Sequence, residues 1–355
     1  GSSRLDQQFA WTRIAMLVAL AEAAILASVL HTLTSSCLLR YGRYLSRYRT
    51  RLSKALHGVQ VMAHRGCKDV EGGPVENTVA AFRYAIDHEA HMVELDVRLS
   101  SDGQVVVFHD ADFSRMCGCG GLVAETRFED FPPLRGGAGD RRIPLLGDVL
   151  EVLPRETCLN VEFKVGQQEL VEKVHGLLEA GGRLDGLGGG EGRTVWFSLQ
   201  QAINRQLRAK DPRIPIITST GEVFKTSIAF WCGVLPYLSL QRLGVDADIF
   251  GVPADPVDFA RIRSTPFCKA LPDAMCRVLE RFIGGSPSPF FLDARLNSHL
   301  NRRGVPVCAM GCVSDEALES LDGKGVSILL ADDPAWIRRR LGEQPIELAR
   351  CSPAA

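Results

Sequence analysis

From residue 55 onward, short β-type runs recur along the chain with helical or polar stretches between them, and this alternation restricts the fold more than any other feature. Candidate strands begin near Val59, Met92, Gln104, Thr157, Thr194, Ile214, Asp248, Val305 and Val326. Helical spacing fills two of the gaps: residues 77–88, with Val79, Phe82, Ala85 and Ile86 at core positions, and residues 168–180, closed by Gly181-Gly182. Strands that alternate with helices build a parallel α/β sheet or barrel, and 355 residues with 46% hydrophobic content are enough for one large packed domain. Nine runs exceed the eight staves of a closed barrel, so one is a hairpin or peripheral strand. A helix is missing at the tight Ser101-Asp102-Gly103 turn. The glycine-rich segment 181–192 reads as a loop, because its GLGGG run lacks the strand-to-helix setting of a phosphate cradle.

Ahead of this region, Ile14 to Leu39 reads IAMLVALAEAAILASVLHTLTSSCLL, long enough to span a hydrocarbon core and interrupted only by Glu22 and His31. It is expected to be a single membrane helix, with a buried or amphipathic helix as the alternative. Arg40, Arg43, Arg47, Arg49, Arg51 and Lys54 follow with no acidic residue among them, which places the remainder of the chain on the cytosolic side of its membrane, the endoplasmic reticulum or another internal membrane being compatible. The expected divisions are therefore 1–39 lead and anchor, 40–57 basic linker, 58–342 barrel and 343–355 tail.

The 41 basic and 42 acidic side chains give a net charge of -1, which removes the electrostatic case for nucleic acid. Eleven cysteines at irregular spacing read as mostly reduced thiols. Cys117 and Cys119 flank one glycine, too close for an easy disulfide, and Cys351 has four residues after it rather than the three of a prenylation box.

The chemistry lies where apolar strands run out. MVELDV carries Glu94 and Asp96 two apart, hence on one face, with Val93, Leu95 and Val97 on the other. Two such carboxylates repel and desolvate badly unless a cation sits between them. LNVEFK repeats the arrangement with Glu162 and Lys164, MAHRG ends a strand in His64 and Arg65, and VVVFHD ends another in His109 and Asp110. Oxygen ligands suit one divalent cation, Mg²⁺ or Ca²⁺, and two histidines beside it supply a general base and a general acid. Taken singly, each motif has an ordinary structural reading; their convergence at strand ends is what points to a site.

In the order MAHRG, EGGPVENTVAAFRYAI, MVELDVRLSSDGQVVVFHD, RIPLLGDVLEVLP and LNVEFK, the chain resembles the glycerophosphodiester phosphodiesterase family. The resemblance implies a TIM-type (β/α)8 barrel with Glu94, Asp96 and Glu162 as metal ligands and His64 and His109 as the acid-base pair. By the same match Arg65 and Lys164 contact phosphate, and Glu76 and Asn77 stand behind the first histidine. The apolar N-terminus with its basic follow-on, GVLPYLSL and IFGVPA resemble the membrane-anchored lysophospholipase D branch. That branch acts on lysophospholipids and N-acylethanolamine glycerophosphodiesters, leaving a lysophosphatidic acid-type product.

An apolar patch at Ile228, Phe230, Trp231, Val234, Leu235, Pro236, Tyr237 and Leu238 suits an acyl chain or a membrane surface, or else is a core helix. Two departures stand out: VCAMGC, with Cys308, replaces the family's tryptophan motif, and LLADDP carries Ala331 where a threonine is usual. Three readings follow: a lysophospholipase D, a phosphodiesterase on soluble diesters such as glycerophosphocholine, and a lipid-binding scaffold that has lost catalysis. The ligand set favours an enzyme. No protein partner is inferable from these residues.

Overall fold

The computed structural model describes residues 30, 31, 33, 34, 37, 52, 54–136, 141–187, 192–237, 240–254 and 291–349. The stretch 14–29 and most of 32–50 lie outside the described residues, so the expected anchor and basic linker do too. No described helix is long and apolar enough to cross a membrane.

Strands β1 (Val61–Ala63), β2 (Met92–Leu99), β4 (Cys158–Phe163), β5 (Thr194–Phe197), β6 (Phe250–Pro253), β7 (Val307–Met310) and β8 (Ile328–Ala331) form one parallel sheet in the order β5-β4-β2-β1-β8-β7-β6. Strand β3 (Val105–Val107) pairs antiparallel with β2 alone. It is the surplus run of the nine, reached through the Ser101-Asp102-Gly103 turn.

The sheet curls as in a TIM-type barrel, and the Ile214 run spans its two edges. Ile216 bridges to Trp196 beside β5, and Ile217 bridges to Ile249 beside β6, both in the parallel sense. Backbone bonds from Ile217 N to Trp196 O at 3.0 Å and from Thr218 N to Ile249 O at 2.9 Å hold these contacts.

Ten helices are used below or flank these strands: α1 (Lys54–His57), α2 (Val79–Asp87), α3 (Ser114–Cys117), α4 (Leu146–Val152), α5 (Gln168–Ala180), α6 (Gln201–Lys210), α7 (Thr220–Trp231), α8 (Ala294–Arg302), α9 (Asp315–Ser320) and α10 (Pro334–Glu343). Alternation along the strands divides the core in two. Val93, Leu95, Val97, Leu159, Val161 and Phe163 face outward onto the helices. Met62, Met92, Cys158, Val195, Phe197, Ile249, Cys308, Ile328 and Leu330 fill the interior, closed from below by Leu56 and Val59. This apolar floor leaves the upper interior positions of β2 and β4 for charge.

Cys308 belongs to that floor, and Ala331 faces the outer core. The eight described cysteines are all free, as their spacing suggests.

Candidate active site

The loop after β1 is built for close approach. Gly66 has φ 76°, and a Cβ there would lie 2.7 Å from the backbone carbon of Ala81 on α2. Arg65 (φ 54°) and Asn77 (φ 57°) also take the left-handed conformation, uncommon outside glycine, and Asn77 N donates to Arg65 O at 2.9 Å. Two strained residues clasp each other at the mouth of the interior, and the clasp fixes three side chains there.

Glu94, Asp96 and Glu162 come together as the alternation required: each offers a carboxylate oxygen within 4.8 Å of the others, and all three are buried. Asp96 pairs in register with Glu162, and Glu94 with Asn160. Glu94 Oε2 accepts from Arg65 N at 2.9 Å, whereas its buried Oε1 has no hydrogen-bond donor. Asn77 Nδ2 donates to Asp96 Oδ2 at 2.7 Å. Lys164 Nζ lies 2.6 Å from Glu162 Oε1 and 2.9 Å from Asp96 Oδ1, and Arg65 Nε lies 3.4 Å from Asp96 Oδ2.

Three carboxylates against two cations leave one negative charge uncompensated, and the protonation of the group reflects it. Burial, then repulsion from Asp96 and Glu162, drives the Glu94 carboxyl well above the usual range. Burial also pushes Glu162 up to about 7 against the pull of Lys164. Asp96 is raised by burial too, but Lys164 and Arg65 outweigh it and hold it at about 2. A donor-less buried oxygen beside two more carboxylates is a donor set that fits a hard divalent cation.

Both predicted histidines flank the cluster, each backed by a carboxylate. His64 Nδ1 lies 2.6 Å from Asp332 Oδ1, and His109 Nδ1 lies 2.7 Å from Asp110 Oδ1. Arg98 donates twice to the His109 carbonyl, at 2.9 and 2.7 Å, which holds that strand end in place. Burial lowers the His109 imidazole below its ordinary value, outweighing the attraction of Asp96.

The family model for the glycerophosphoryl diester phosphodiesterase family matches residues 64–227, the stretch that holds every one of these residues except Asp332. A rat protein named lysophospholipase D GDPD1 is 30% identical over 224 residues, covering 60% of this chain and 67% of its own. The chain belongs to the glycerophosphoryl diester phosphodiesterase family.

It is accordingly a phosphoric diester hydrolase, related to curated proteins of the lysophospholipase D branch. Human lysophospholipase D GDPD1 is 26% identical over 320 residues, which cover 87% of this chain and 93% of that one. Among solved structures, a phosphodiesterase of Oleispira antarctica aligns with a TM-score of 0.53 at 20% identity, over 80% of this chain and 96% of the other, which is a likeness of fold.

Within this phosphodiesterase, two site residues depart from the sequence expectation. Glu76 stands behind Arg65, the neighbour of His64, rather than behind His64 itself, and its other contacts run through Arg115 toward His109, the second histidine. Asn77 serves Asp96.

Asp332, Asp110, Lys68 and Arg115 were not singled out for roles by the sequence. The signal for Asp332 was present in LLADDP: Asp333 caps α10 by accepting from Ala335 N and Trp336 N, Pro334 follows at the first turn, and Asp332 is left free to turn inward.

Proposed function

We propose that this chain is a metal-dependent lysophospholipase D-type enzyme, which releases the headgroup of a lysophospholipid and leaves a lysophosphatidic acid-type product, or releases the N-acylethanolamine of a glycerophosphodiester and leaves glycerol phosphate. The observation that carries the hydrolytic part is the buried Glu94-Asp96-Glu162 cluster with His64 and His109 at its sides.

A cation held by Glu94, Asp96 and Glu162, Mg²⁺ or Ca²⁺ by its oxygen ligands, would supply charge neutralisation at the phosphate and a lowered pKa for the nucleophile. Arg65 and Lys164 bind the phosphate oxygens and balance charge as it develops. One histidine takes the proton of the substrate's free glycerol hydroxyl, and the other gives a proton to the departing headgroup alcohol. A cyclic phosphate results, and water opens it with the two imidazoles in exchanged roles. Asp332 and Asp110 keep a proton on each Nδ1, so that each Nε2 is the reacting nitrogen.

Support for an acyl-bearing substrate comes from one side of the barrel. The apolar patch of residues 228–237 is divided: Phe230 and Leu235 are core, whereas Ile228, Trp231, Val234 and Tyr237 are exposed. Gln201, the first residue of α6, donates to Gly244 O at 2.7 Å, and the Arg295 guanidinium in the first turn of α8 lies 5.5 Å from the Phe230 ring. The same guanidinium lies 5.8 Å from the Trp231 ring, so the patch borders the first turn of α8.

Leu30 and Leu33 are exposed nearby, with His31 stacked on Tyr237 at 5.9 Å and its Nε2 3.1 Å from Cys232 O. An exposed apolar patch with Trp, Tyr and Arg suits a lipid interface. We propose on the same ground that residues 14–39 anchor the chain and that residues 58–342 form the catalytic unit on the cytosolic face.

Choline release by the full chain tests this. Turnover of lysophosphatidylcholine micelles well above that of glycerophosphocholine supports the reading. Equal or better turnover of glycerophosphocholine assigns a soluble diester instead, and no turnover of either contradicts both.

A further inference from the structure

A continuous series of ion pairs joins the phosphate side of the site to one histidine. Glu76 Oε1 accepts from Arg65 Nη1 at 2.8 Å and from Arg115 Nη2 at 2.6 Å, while Glu76 Oε2 accepts from Arg115 Nη1 at 3.2 Å. The other edge of the same guanidinium is engaged as well, since Arg115 Nε donates to Asp110 Oδ2 at 2.7 Å. Asp110 Oδ1 in turn lies 2.7 Å from His109 Nδ1. Charges alternate along the series Arg65, Glu76, Arg115, Asp110, His109, with Arg65 itself against Asp96.

We propose that Arg115 is a positioning residue for the hydrolytic reaction, whose planar fork fixes the separation between the phosphate-binding guanidinium of Arg65 and the imidazole of His109. The proposal rests on the hydrolase reading given above.

Only a guanidinium can perform this task. It grips Glu76 through both terminal nitrogens and Asp110 through Nε, holding two carboxylates at a set distance and angle, which a lysine ammonium does not do. Little global stability is at stake, because the Arg115 side chain is 45% exposed and exposed ion pairs contribute weakly. The consequence falls on geometry. With Asp110 pinned on one oxygen, its other oxygen stays on His109 Nδ1, so Nε2 remains the reacting nitrogen. With Glu76 pinned from behind, Arg65 keeps its reach toward the phosphate.

A cavity of about 510 Å³, lined in part by Asp69, Gly72, Pro74, Glu76 and Arg115, opens beside the guanidinium. A small cation can therefore enter where the side chain has been removed.

The test uses the full chain, lysophosphatidylcholine micelles, added divalent cation, and the variants Arg115→Ala, Arg115→Lys, Asp110→Asn and Arg115→Ala/Asp110→Asn. Arg115→Ala is expected to lower kcat about 30- to 100-fold with KM within about threefold, because orientation rather than ground-state binding is lost. Arg115→Lys should recover less than half of that loss on a logarithmic scale. Residues that act as one unit do not add, so the double variant should fall no more than about threefold below the poorer single variant. Methylguanidine should raise kcat of Arg115→Ala at least about fivefold and leave the double variant unchanged.

A kcat for Arg115→Ala within threefold of the parent, multiplying losses, or a loss indifferent to methylguanidine would each overturn the positioning role. Inactivity of the unsubstituted chain on both lysophosphatidylcholine and glycerophosphocholine contradicts the hydrolase reading and the positioning role with it. An active parent matched by Arg115→Ala contradicts the positioning role alone.

Discussion

His64 Nδ1 and Asp332 Oδ1 lie 2.6 Å apart although 268 residues separate them in the chain, and the second oxygen of that carboxylate accepts from Lys68 Nζ at 2.8 Å. The last strand of the sheet thus delivers the residue that orients the first strand's histidine. Burial raises the Asp332 carboxyl, but His64 and Lys68 outweigh it and keep it charged. Asp332→Asn presents an amide to Nδ1 and removes the carboxylate that holds the ring in place. The expected result is a fall of about 100-fold in kcat with unchanged cation affinity. Full activity of this variant in steady-state assays would remove Asp332 from the mechanism.

The cation-free protein should lose stability as pH rises. Glu94 and Glu162 carry raised carboxyl pKa values in the fold, so their contribution is fully present below the unfolded value of about 4.5 and is lost as pH climbs through the folded values, near 7 for Glu162. In EDTA, the melting temperature should fall by about 5 °C or more between pH 5 and 8. Millimolar Mg²⁺ or Ca²⁺ should abolish the decline, because the bound ion favours the ionised carboxylates. A flat profile in EDTA would show that the three carboxylates are not strained against one another.

Asn77 separates backbone from side chain. Its amide holds Asp96, and its φ of 57° is one that glycine takes freely. Asn77→Gly should keep the fold and weaken cation binding about tenfold in calorimetric titration, the usual effect of losing a group that orients a ligand. Asn77→Ala should do the same and cost about 1 kcal/mol more in unfolding, from the left-handed backbone. Unaltered cation affinity in both variants would refute the link through Asp96.

Ile228→Lys and Tyr237→Ser address the exposed apolar patch. Both side chains are exposed, so the barrel should melt at its usual temperature. KM for micellar lysophosphatidylcholine should rise about fivefold or more, with kcat/KM for glycerophosphocholine unchanged. Parallel losses on both substrates would place the effect in the fold rather than at a lipid surface.

Much of this site was legible in the chain because a strand has a period of two. Once Val93, Leu95 and Val97 face the helices, Glu94 and Asp96 must enter the interior, and LNVEFK repeats the inference for Glu162 and Lys164. That one run is surplus was visible too, with a helix missing at Ser101-Asp102-Gly103, but which run it is comes from the antiparallel pairing of β3 with β2.

What stayed hidden was contact across distance. No local pattern joins His64 to Asp332, or Glu76 to Arg115, because the pairing of β1 with β8 and the packing of the loops after β1 and β3 create those neighbours. The Ile214 run was legible as apolar, but its single bridges to each side depend on how the two sheet edges meet. The apolar stretch of residues 228–237 was ambiguous for a physical reason: one part of it is core and the other part is exposed surface.

The central claim is that Glu94, Asp96 and Glu162 hold the cation on which hydrolysis depends. The direct measurement is choline release from lysophosphatidylcholine by the full chain after EDTA treatment, with Mg²⁺ or Ca²⁺ then added back, alongside Glu94→Gln and Glu162→Gln. Turnover should vanish in EDTA, return with one of the two cations in the unsubstituted chain, and fail to return in either variant at the same cation concentration. Turnover that persists through EDTA, or that both variants recover in full, would contradict the account.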